Sequence, residues 1–445
     1  MKILIVLHSF IPYTQAGTEI YAYSLAKELA KKHEVYVFFR INNLKLKEYA
    51  VLKNENAGIK TFAINFTFRD CRSFPDTYNN SAIDNAFSQV LDEVQPDVVH
   101  IHHLLFLSLG IVKEAKRRGL PVIFTLHDYW LFCHRGQLIN DKLYTCNGYE
   151  NSRCGDCLRM QLSIRPKAMY FYQIFRKILP LFLLKKIKRM YLAVNNKTDL
   201  DVVSERYKHA HAIIPDIDLF LSPSNFLMDK MISFGVPQSK ISYLQTGIEQ
   251  ELFKDATKIK SNKIRFGYIG IILPMKGLDV LVRAFRKLSN PNAQLLIFGK
   301  CFPYAGYEDY FKSLESYSRA DKRIKLMGAF EHTKVAEIFA QIDVLVVPSI
   351  WPENSPLVIQ EAFLTKTPVI ASRIGGIPEL IENGKNGLLF NPNDTEDLHE
   401  KLSLLINDSI LLEKLRDTVT NVKDTSEISQ ELVAAYNSLK QGKIS

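Results

Sequence analysis

The sequence predicts an α/β protein made of two doubly wound domains that face each other across a cleft. Short apolar runs with the length of strands alternate with amphipathic helical segments. The alternation stops at a polar stretch in mid-chain and then starts again. This order of elements is typical of parallel sheets covered by helices on both faces. Such sheets bind ligands beyond the carboxyl ends of their strands, so two of them are expected to place a cleft there.

The first half of the chain contains apolar runs that are typical of buried parallel strands. We predict strands at 2–7, 34–39, 58–66, 97–101 and 121–125, and a further one in ISYLQT. Helical periodicity in TEIYAYSLAKELAKK and over 81–94 separates the earlier runs. These elements form the first alternation.

A polar stretch, EQELFKDATKIKSNK, predicts a linker before the second alternation. The strands predicted after it are IRFGYIG, AQLLIFG, RIKLMG, DVLVVPS, TPVIAS and GLLF, and helices fill the tail from about 394 to 441. We therefore expect an N-terminal domain over 1–247, with an insertion at about 130–197, and a C-terminal domain over 248–425. We expect the last helix, over 426–445, to pack back on the N-terminal domain.

Length and composition indicate a globular chain with a large core. The chain has 445 residues, 47% hydrophobic and 23% charged. Its opening, MKILIVLHSF, has an apolar run of only about six residues and no cleavage site after it, so it predicts a first strand and not a secretory signal. No apolar segment approaches the roughly 20 residues that span a bilayer. We expect a cytoplasmic protein.

Positive charge is concentrated in one segment of the chain. No acidic residue lies between Asp156 and Asp199, and the ten basic residues there equal the formal net charge of +10. They are Arg159, Arg165, Lys167, Arg176, Lys177, Lys185, Lys186, Lys188, Arg189 and Lys197. The rest of the chain is neutral on balance, unlike a nucleic-acid-binding protein with a generally basic surface. We expect no nucleic-acid partner.

The same segment interleaves apolar with basic residues. In MYFYQIFRKILPLFLLKKIKRMY the apolar positions are Phe171, Ile174, Phe175, Ile178, Phe182 and Ile187. This pattern is typical of a helix, broken near Pro180, that lies on an anionic membrane. A helix that packs on its own domain with a solvated basic face has the same pattern. We predict peripheral contact with the inner face of the membrane, and the second interpretation stays open.

Two glutamates flank the start of a predicted helix in PENSPLVIQEAF. Ser355 is a favourable N-cap and Pro356 a favourable first helical residue, so we expect the helix to begin there, after the fourth strand of the second domain. Its free amide groups are expected to point into the cleft and to suit a phosphate. Glu353 and Glu361 can then accept hydrogen bonds from a sugar and a ribose. The alternative is that both glutamates are solvated.

Four of the six cysteines lie close together in the sequence and end in a Cys-x-x-Cys pair. They are Cys133, Cys146, Cys154 and Cys157. This grouping is consistent with a structural zinc site in a reducing compartment. Disulfides and separate unpaired thiols are the alternatives.

Six segments together resemble a known enzyme family. They are AGTEIY, DVVHIHH, FTLHD, GYIGIILPMKG, VVPSIWPENSPLVIQEAF and TPVIASRIGGIPELIENGKNGLLF. They are similar to family 4 of the retaining glycosyltransferases, which have the GT-B fold of two facing Rossmann-like domains. The resemblance covers nearly the whole chain and is strongest from about 264 to 400. It implies transfer of a sugar from a nucleotide-diphosphate-sugar donor with retention of anomeric configuration.

The resemblance also implies roles for individual residues. Glu361 matches the ribose-binding glutamate, Glu353 the glutamate that contacts the donor sugar, and Lys276 the base that neutralises the diphosphate. His127 matches the histidine near the reacting carbon, and Gly17 lies in the loop that approaches phosphate or acceptor. The implied catalytic residues are His127, Glu353 and Lys276. The implied donor-binding residues are Gly17, Lys276, Glu353, Asn354, Ser355, Leu357 and Glu361.

The chain departs from the family pattern at two positions. Ile271 stands where an arginine is usual, and Ala16 stands where many relatives have a second glycine. Asp128 is expected either to orient His127 or to cap the following turn. For His100, His102 and His103 we expect structural or acceptor-side roles and no metal site, because neighbouring side chains of a strand point to opposite faces.

The implied mechanism needs no protein nucleophile and no catalytic metal. The departing diphosphate oxygen assists deprotonation of the acceptor, while the enzyme contributes positioning and charge. We expect a glycan or lipid-linked acceptor in surface polysaccharide or glycolipid synthesis. The alternatives are a GT-B epimerase or phosphorylase, and a non-catalytic, membrane-associated protein that binds sugar nucleotides. No GxxxxGK[ST] loop and no GxGxxG after a strand is present, which argues against an NTPase or a nicotinamide enzyme.

Overall fold

The computed structural model describes residues 1–159, 161–162, 165–194, 200–302, 304, 306–418 and 422–442. It contains two separate sheets of mainly parallel strands, each with a hydrophobic core on both faces. The predicted class, two doubly wound α/β domains, is confirmed. Lys197, one of the ten clustered basic residues, lies outside the described residues.

The N-terminal sheet has eight strands in the order β3-β4-β2-β1-β5-β6-β7-β8. They are β1 Lys2–Leu7, β2 Glu34–Ile41, β3 Val51–Asn56, β4 Ile59–Asn65, β5 Val98–Ile101, β6 Val122–Thr125, β7 Leu219–Ser222 and β8 Ile241–Tyr243. Adjacent strands are parallel except the edge pair β3 and β4, which is antiparallel. The order of the strands reverses between β1 and β5.

The C-terminal sheet has six parallel strands in the order β11-β10-β9-β12-β13-β14. They are β9 Ile264–Ile269, β10 Ala293–Phe298, β11 Ile324–Gly328, β12 Val344–Val347, β13 Val369–Ser372 and β14 Gly387–Phe390. Here the strand order reverses between β9 and β12. Ligands of doubly wound sheets bind at such reversal points.

The helices connect these strands, and several follow the last one. In chain order they are α1 Gly17–Ala30, α2 Ser81–Val94, α3 Gly110–Arg117, α4 Asn151–Arg159, α5 Pro166–Phe175, α6 Leu181–Val194, α7 Leu200–Ala212, α8 Asn225–Phe234, α9 Leu278–Arg286, α10 Tyr310–Arg319, α11 Val335–Phe339, α12 Leu357–Leu364, α13 Ile377–Leu380, α14 Thr395–Asn407, α15 Ser409–Asp417 and α16 Thr425–Lys440.

Two strands were not expected from the sequence. Strand β3 is largely polar, VLKNEN, and exists because it pairs with β4 at the sheet edge. Strand β7 has only four residues, too few to show a period. The predicted linker at 249–263 does join the sheets, but it is fixed to the C-terminal domain: the Lys258 ammonium donates to the carbonyls of Phe339 and Ile342, both at 2.8 Å.

Helix α16 packs on the N-terminal domain. Ile428 and Leu432 share a buried cluster with Ile5 and Leu25 of that domain. The Tyr436 hydroxyl lies 2.7 Å from Nδ1 of the buried His100. The last helix therefore joins the two halves of the molecule, and its contacts reach the interior of the first sheet.

Candidate active site

The predicted site residues lie where both sheets reverse their strand order. In the first sheet His127 follows β6, and His8, which was not predicted, follows β1, two strands away. Lys276 follows β9 and Glu353 follows β12, which are neighbours in the second sheet. The loop that carries Glu353 touches both domains, so the two sets of residues meet in one interdomain crevice.

Contacts across this crevice come mainly from the loop at 352–355. The Tyr129 hydroxyl donates to the Pro352 carbonyl at 3.0 Å. Asn354 accepts from the Ser224 hydroxyl at 2.5 Å, and its amide nitrogen donates to the Leu126 carbonyl at 3.4 Å. Asn354 is therefore held on both sides by the N-terminal domain, and the loop has a fixed position between the sheets.

Glu353 is a buried carboxylate with three donors on one oxygen. Its Oε1 accepts from Lys276 Nζ at 2.7 Å, from the Ser349 hydroxyl at 2.5 Å and from Trp351 Nε1 at 2.8 Å. Only 5% of the residue is exposed. The alternative of a solvated Glu353 is therefore wrong. Lys276, which we had assigned separately to the diphosphate, forms an ion pair with it.

Gly277 explains how Lys276 reaches this position. The residue has φ of +67°, in the left-handed region that favours glycine. A Cβ there would collide with the carbonyl oxygen of Pro348, at the end of β12. The absence of a side chain lets the Met275–Gly277 turn lie directly against that strand end, next to Glu353. The Lys276 ammonium also lies 5.0 Å from the centre of the Trp351 ring.

Glu361 lies in α12 and is also buried, with 4% of the residue exposed. The alternative of a solvated helix edge is therefore wrong here too. His332 Nε2 lies 2.8 Å from Glu361 Oε1. Burial lowers the pKa of His332, but the hydrogen bond and charge of Glu361 raise it by more, so the net shift is upward. Among the described residues, no donor contacts the second carboxylate oxygen, Oε2.

The predicted start of α12 is wrong by one residue. The helix begins at Leu357, with Pro356 as an extended N-cap and no side-chain capping bond. Ser355 does not cap the helix, because its hydroxyl lies 3.1 Å from the Thr246 hydroxyl and 3.3 Å from the amide of Gln360. The first amide groups of α12 remain free of a side-chain cap, as a phosphate site requires.

Gly17 begins α1 and faces the start of α12. A Cβ on Gly17 would lie 3.9 Å from Leu357, so the starts of α1 and α12 approach closely at this point. Glu19, two residues later, accepts from the backbone of Ala16 and from His8 Nε2 at 3.0 Å. The loop expected to approach the donor is therefore held by Glu19, a residue that the sequence reasoning missed.

His127 is half-buried and contacts a cluster of buried histidines. Its Nε2 lies 3.0 Å from Nδ1 of His102, and the two rings stack. Asp128 does not orient His127; its carboxylate caps the turn at the Trp130 amide, 2.8 Å away, and contacts His103 at 3.1 Å. The capping alternative for Asp128 is thus the one observed, and His102 holds His127.

His100, His102 and His127 are neutral at physiological pH. Burial, reinforced by the charge of His103, lowers the pKa of His127 to about 3. Burial also lowers the pKa of His100 to about 3 and that of His102 well below its usual range. Each imidazole therefore offers one donor and one acceptor nitrogen instead of a positive charge.

Comparisons with known proteins identify the family. The model of glycosyl transferases group 1 matches residues 249–423, and the model of Glycosyltransferase Family 4 matches residues 16–157. The chain belongs to glycosyltransferase family 4. It is therefore an enzyme, and no comparison favours an epimerase, a phosphorylase or a non-catalytic protein.

Curated relatives of this glycosyltransferase match at moderate identity. An uncharacterised 42.6 kDa protein in the cps region of Klebsiella pneumoniae is 26% identical over 85% of this chain and 87% of its own length. The amylovoran biosynthesis glycosyltransferase AmsK of Erwinia amylovora is 27% identical over 44% of this chain and 49% of its own. Other relatives are matched over 34% to 59% of their length.

Solved structures share the fold of this glycosyltransferase. Sucrose-phosphate synthase of Thermosynechococcus elongatus has a TM-score of 0.69 and 18% identity, with 99% of each chain covered. HepE of Anabaena, solved with UDP and glucose, has a TM-score of 0.64 and 16% identity over 98% of this chain and 100% of its own. The GT-B fold is confirmed.

The sequence reasoning missed several residues of this glycosyltransferase's crevice: His8, Glu19, Trp351, Ser349 and His332. One signal was available, because His8 follows the first strand as His127 follows a later one. Parallel strands end at the same sheet edge, so the two histidines had to lie on one side. His332 precedes α11, 29 residues before Glu361, and no local pattern links them.

The cysteines of the glycosyltransferase are unpaired in the structure. The described residues contain no group of three or more His, Cys, Asp or Glu side chains arranged to hold a metal ion. Burial raises the thiol pKa of Cys146, Cys154 and Cys157, and the nearby Cys133 raises each of them further. The pKa of Cys157 rises to about 12. Metal binding by these four cysteines stays a prediction, to be decided by metal analysis of protein purified without chelator.

The basic segment forms two helices, α5 and α6, separated at Pro180 as expected. Large apolar side chains on them are exposed: Phe171, Phe175, Ile178, Phe182, Ile187, Met190, Tyr191 and Val194. Two of the basic residues are not free, because Lys185 contacts Asp309 at 2.6 Å and Lys188 contacts Glu308 at 2.5 Å. No helix in the described parts of the chain is long and apolar enough to cross a bilayer.

Proposed function

We propose that this glycosyltransferase moves a sugar, with retention of configuration, from a nucleotide-diphosphate-sugar to a glycan or lipid-linked acceptor. The observation that carries the proposal is the arrangement at the second sheet's reversal point. An ion pair between the half-buried Lys276 and the buried Glu353 lies in the crevice, a helix without a side-chain cap begins beside it, and a second buried glutamate lies in that helix. This order suits sugar, diphosphate and ribose in turn.

The donor assignment is supported by chemistry and by the structural neighbour. HepE was solved with UDP and glucose. In this chain Glu361 keeps Oε2 for ribose hydroxyls while His332 holds Oε1. The amides at the start of α12 and the Lys276 ammonium serve the diphosphate. Ile271 supplies no second cation, so the helix amides carry more of the binding than in relatives with an arginine.

Glu353 positions the donor sugar and does not attack it. Its Oε1 already accepts three hydrogen bonds, one of them from a cation. Such bonds stabilise the carboxylate as an anion and lower its nucleophilicity. Its role is to bind sugar hydroxyls, while the departing diphosphate oxygen takes the acceptor proton on the same face. Lys276 then stabilises the negative charge that develops on the leaving group.

His127 contributes a neutral imidazole beside the reacting carbon. With its pKa near 3, it hydrogen-bonds a sugar hydroxyl without drawing the diphosphate away from Lys276. The stacked His102 fixes its orientation. Gly17, opposite Leu357, leaves room for phosphate or acceptor between the starts of α1 and α12.

The biological setting is proposed from the relatives. One lies in a cps region and another acts in amylovoran biosynthesis, which supports a role in surface polysaccharide or glycolipid synthesis. The exposed apolar residues of α5 and α6, with basic residues between them, support contact with an anionic membrane.

A transfer assay tests this function. Purified enzyme is incubated with a panel of nucleotide-diphosphate-sugars and glycan or lipid-linked acceptors, and the anomeric configuration of the product is read by NMR. We expect retention, and a loss of turnover of about 100-fold in Glu353→Gln. Glu413→Gln, on the exposed surface of α15, is the matched control and should turn over normally. An inverted product, or full activity of Glu353→Gln, contradicts the proposal.

A further inference from the structure

A second cavity lies outside the donor crevice. It has a volume of about 560 Å³, within the range of cavities that hold one small organic ligand. Its walls come from the loop before α2, from the turn after β6, from helices α4 to α7 and from the C-terminal loop at 302–308. None of the donor-site residues assigned above lines it.

The cavity contains an uncompensated buried cation. Arg206 is 5% exposed, and its guanidinium donates to the carbonyls of Leu131 and Trp130. Burial lowers its pKa to about 10, so it stays charged at neutral pH. Within the described part of the chain, no carboxylate lies within 4.0 Å of Arg206 or of Arg135, which also lines the cavity. A buried charge without a counter-ion is costly and indicates an anionic ligand.

Two polar atoms of the cavity wall are buried and have no partner among the described residues. They are the hydroxyl of Tyr78 and Nε2 of His134. Buried polar groups are nearly always hydrogen-bonded, so an unpartnered pair beside a buried guanidinium is an unusual feature. Together with the guanidinium they offer polar contacts to an anionic group in the cavity. A phosphate, whose oxygens accept hydrogen bonds and pair with the guanidinium fork, matches this set.

Part of the wall is apolar, and the remainder includes Gln137, Arg176 and the Lys188–Glu308 ion pair. Phe106, Leu158, Met169 and Tyr172 line the cavity, and Trp130 lies between them and Arg206 with its ring 4.7 Å from the guanidinium. Met169 and Tyr172 belong to α5, the helix that exposes Phe171 and Phe175 on its other side. The cavity therefore joins a cationic end to an apolar wall under an apolar surface helix.

We propose that this cavity binds a phosphate-bearing amphiphile, with its phosphate against Arg206, Tyr78 and His134 and its apolar chain along α5. That this amphiphile is the sugar acceptor rests on the proposed function. Its binding does not, because the residues involved are separate from those of the donor crevice.

Binding is measured by calorimetry without any donor. The probes are decyl phosphate below its micelle concentration, inorganic phosphate and decanol, which separate the phosphate from the chain. We expect decyl phosphate to bind at least tenfold more tightly than either of the others. Trp130 gives a second readout, since its fluorescence should change with decyl phosphate in a Trp351→Phe background, where it is the remaining tryptophan.

Tyr78→Phe is the decisive variant. It removes a hydroxyl that has no protein partner, so the unfolding midpoint should stay the same or rise, while decyl phosphate affinity falls about tenfold. Tyr144→Phe, at an exposed position, is the matched control and should bind normally. Arg206→Lys keeps the charge but loses the forked geometry, and should also weaken binding.

Three results would overturn the proposal: equal affinity for decanol and decyl phosphate, equal affinity for inorganic phosphate and decyl phosphate, or unchanged binding by both Tyr78→Phe and Arg206→Lys. Glu361→Gln separates this inference from the proposed function. It should bind decyl phosphate as the wild type does, even if every donor assay fails.

Discussion

Lys276 and Glu353 form an ion pair in the crevice, and the proposed function assigns both residues to the donor. Replacing Lys276 with Met leaves the Glu353 carboxylate buried without its cation, which is expected to lower the free energy of unfolding by about 3 kcal/mol. It also removes the charge that stabilises the leaving diphosphate, so kcat/KM should fall by about 100-fold or more.

The double variant Lys276→Met with Glu353→Gln separates these two effects. It removes both charges, so most of the lost stability should return in a urea titration, while activity stays low. Lys300→Met replaces an exposed lysine that follows β10, and it should change neither stability nor activity. If the double variant recovers activity together with stability, Lys276 has only a structural role.

The lowered pKa of a buried histidine predicts how the free energy of unfolding depends on pH. His100 has a pKa of about 3 in the folded protein, against an ordinary value of 6.5. Its contribution to stability is therefore fully present above about pH 6.5 and is lost as the pH falls towards 3, because the unfolded chain binds the proton first. Lowering the pH from about 7.5 to 5.5 should therefore reduce the free energy of unfolding by about 1.4 kcal/mol through this residue alone.

Urea unfolding of the wild type and of His100→Gln at both pH values measures this contribution. The variant loses contacts with Tyr436 and Thr125 at both pH values, so the comparison rests on the pH slope and not on the absolute stability. The slope should be smaller in His100→Gln. An identical slope would mean that His100 does not titrate as described.

At the scale of single elements, α12 shows what the sequence could and could not predict. Its existence followed from the apolar run after a strand, and the role of its single glutamate, Glu361, followed from the family pattern. Its first residue did not, because Ser355 bonds to Thr246 of the other domain instead of capping the helix. The two residues are 109 positions apart in the chain, so the local sequence does not indicate the contact.

Helices α5 and α6 give a prediction about membranes. Lys186 and Arg189 are exposed, whereas Lys185 and Lys188 contact acidic residues of the C-terminal domain. Each exposed basic residue near an anionic surface contributes about 1 kcal/mol, so reversing both should weaken liposome binding by more than tenfold.

Sedimentation with liposomes that contain anionic lipid tests this prediction with Lys186→Glu and Arg189→Glu together. Lys322→Glu with Lys325→Glu makes the same charge change at two other exposed positions and should sediment like the wild type. Sedimentation that is unaffected by the first pair, or equally reduced by both pairs, argues that α5 and α6 do not form the contact surface.

At the scale of the whole molecule, both sheets and most of their strands could be predicted, because parallel strands buried on two faces are almost wholly apolar. The crevice could be placed by the general rule for such sheets. The hydrogen-bond partners of the side chains within the crevice could not be predicted. His332 with Glu361, and Asp128 with His103 instead of His127, depend on how separate strands end beside one another.

The domains also meet through contacts that sequence reasoning did not supply. Asn354 is hydrogen-bonded to Ser224 and Leu126, and Tyr129 is hydrogen-bonded to Pro352. The loop at 352–355 is therefore part of the interdomain boundary. A ligand that fills this crevice touches both domains. Binding of donor should therefore stabilise the whole chain, by an amount that grows with the logarithm of the donor concentration above Kd.

The central claim is that the start of α12 and its Glu361 bind a nucleoside diphosphate. Calorimetric titration of nucleoside diphosphates into the wild type, Glu361→Gln and the surface control Glu413→Gln tests it most directly. The account predicts that at least one nucleoside diphosphate binds the wild type and the control equally, and binds Glu361→Gln about tenfold more weakly or worse. Binding that is unchanged in Glu361→Gln, or no binding by any nucleoside diphosphate, would contradict it.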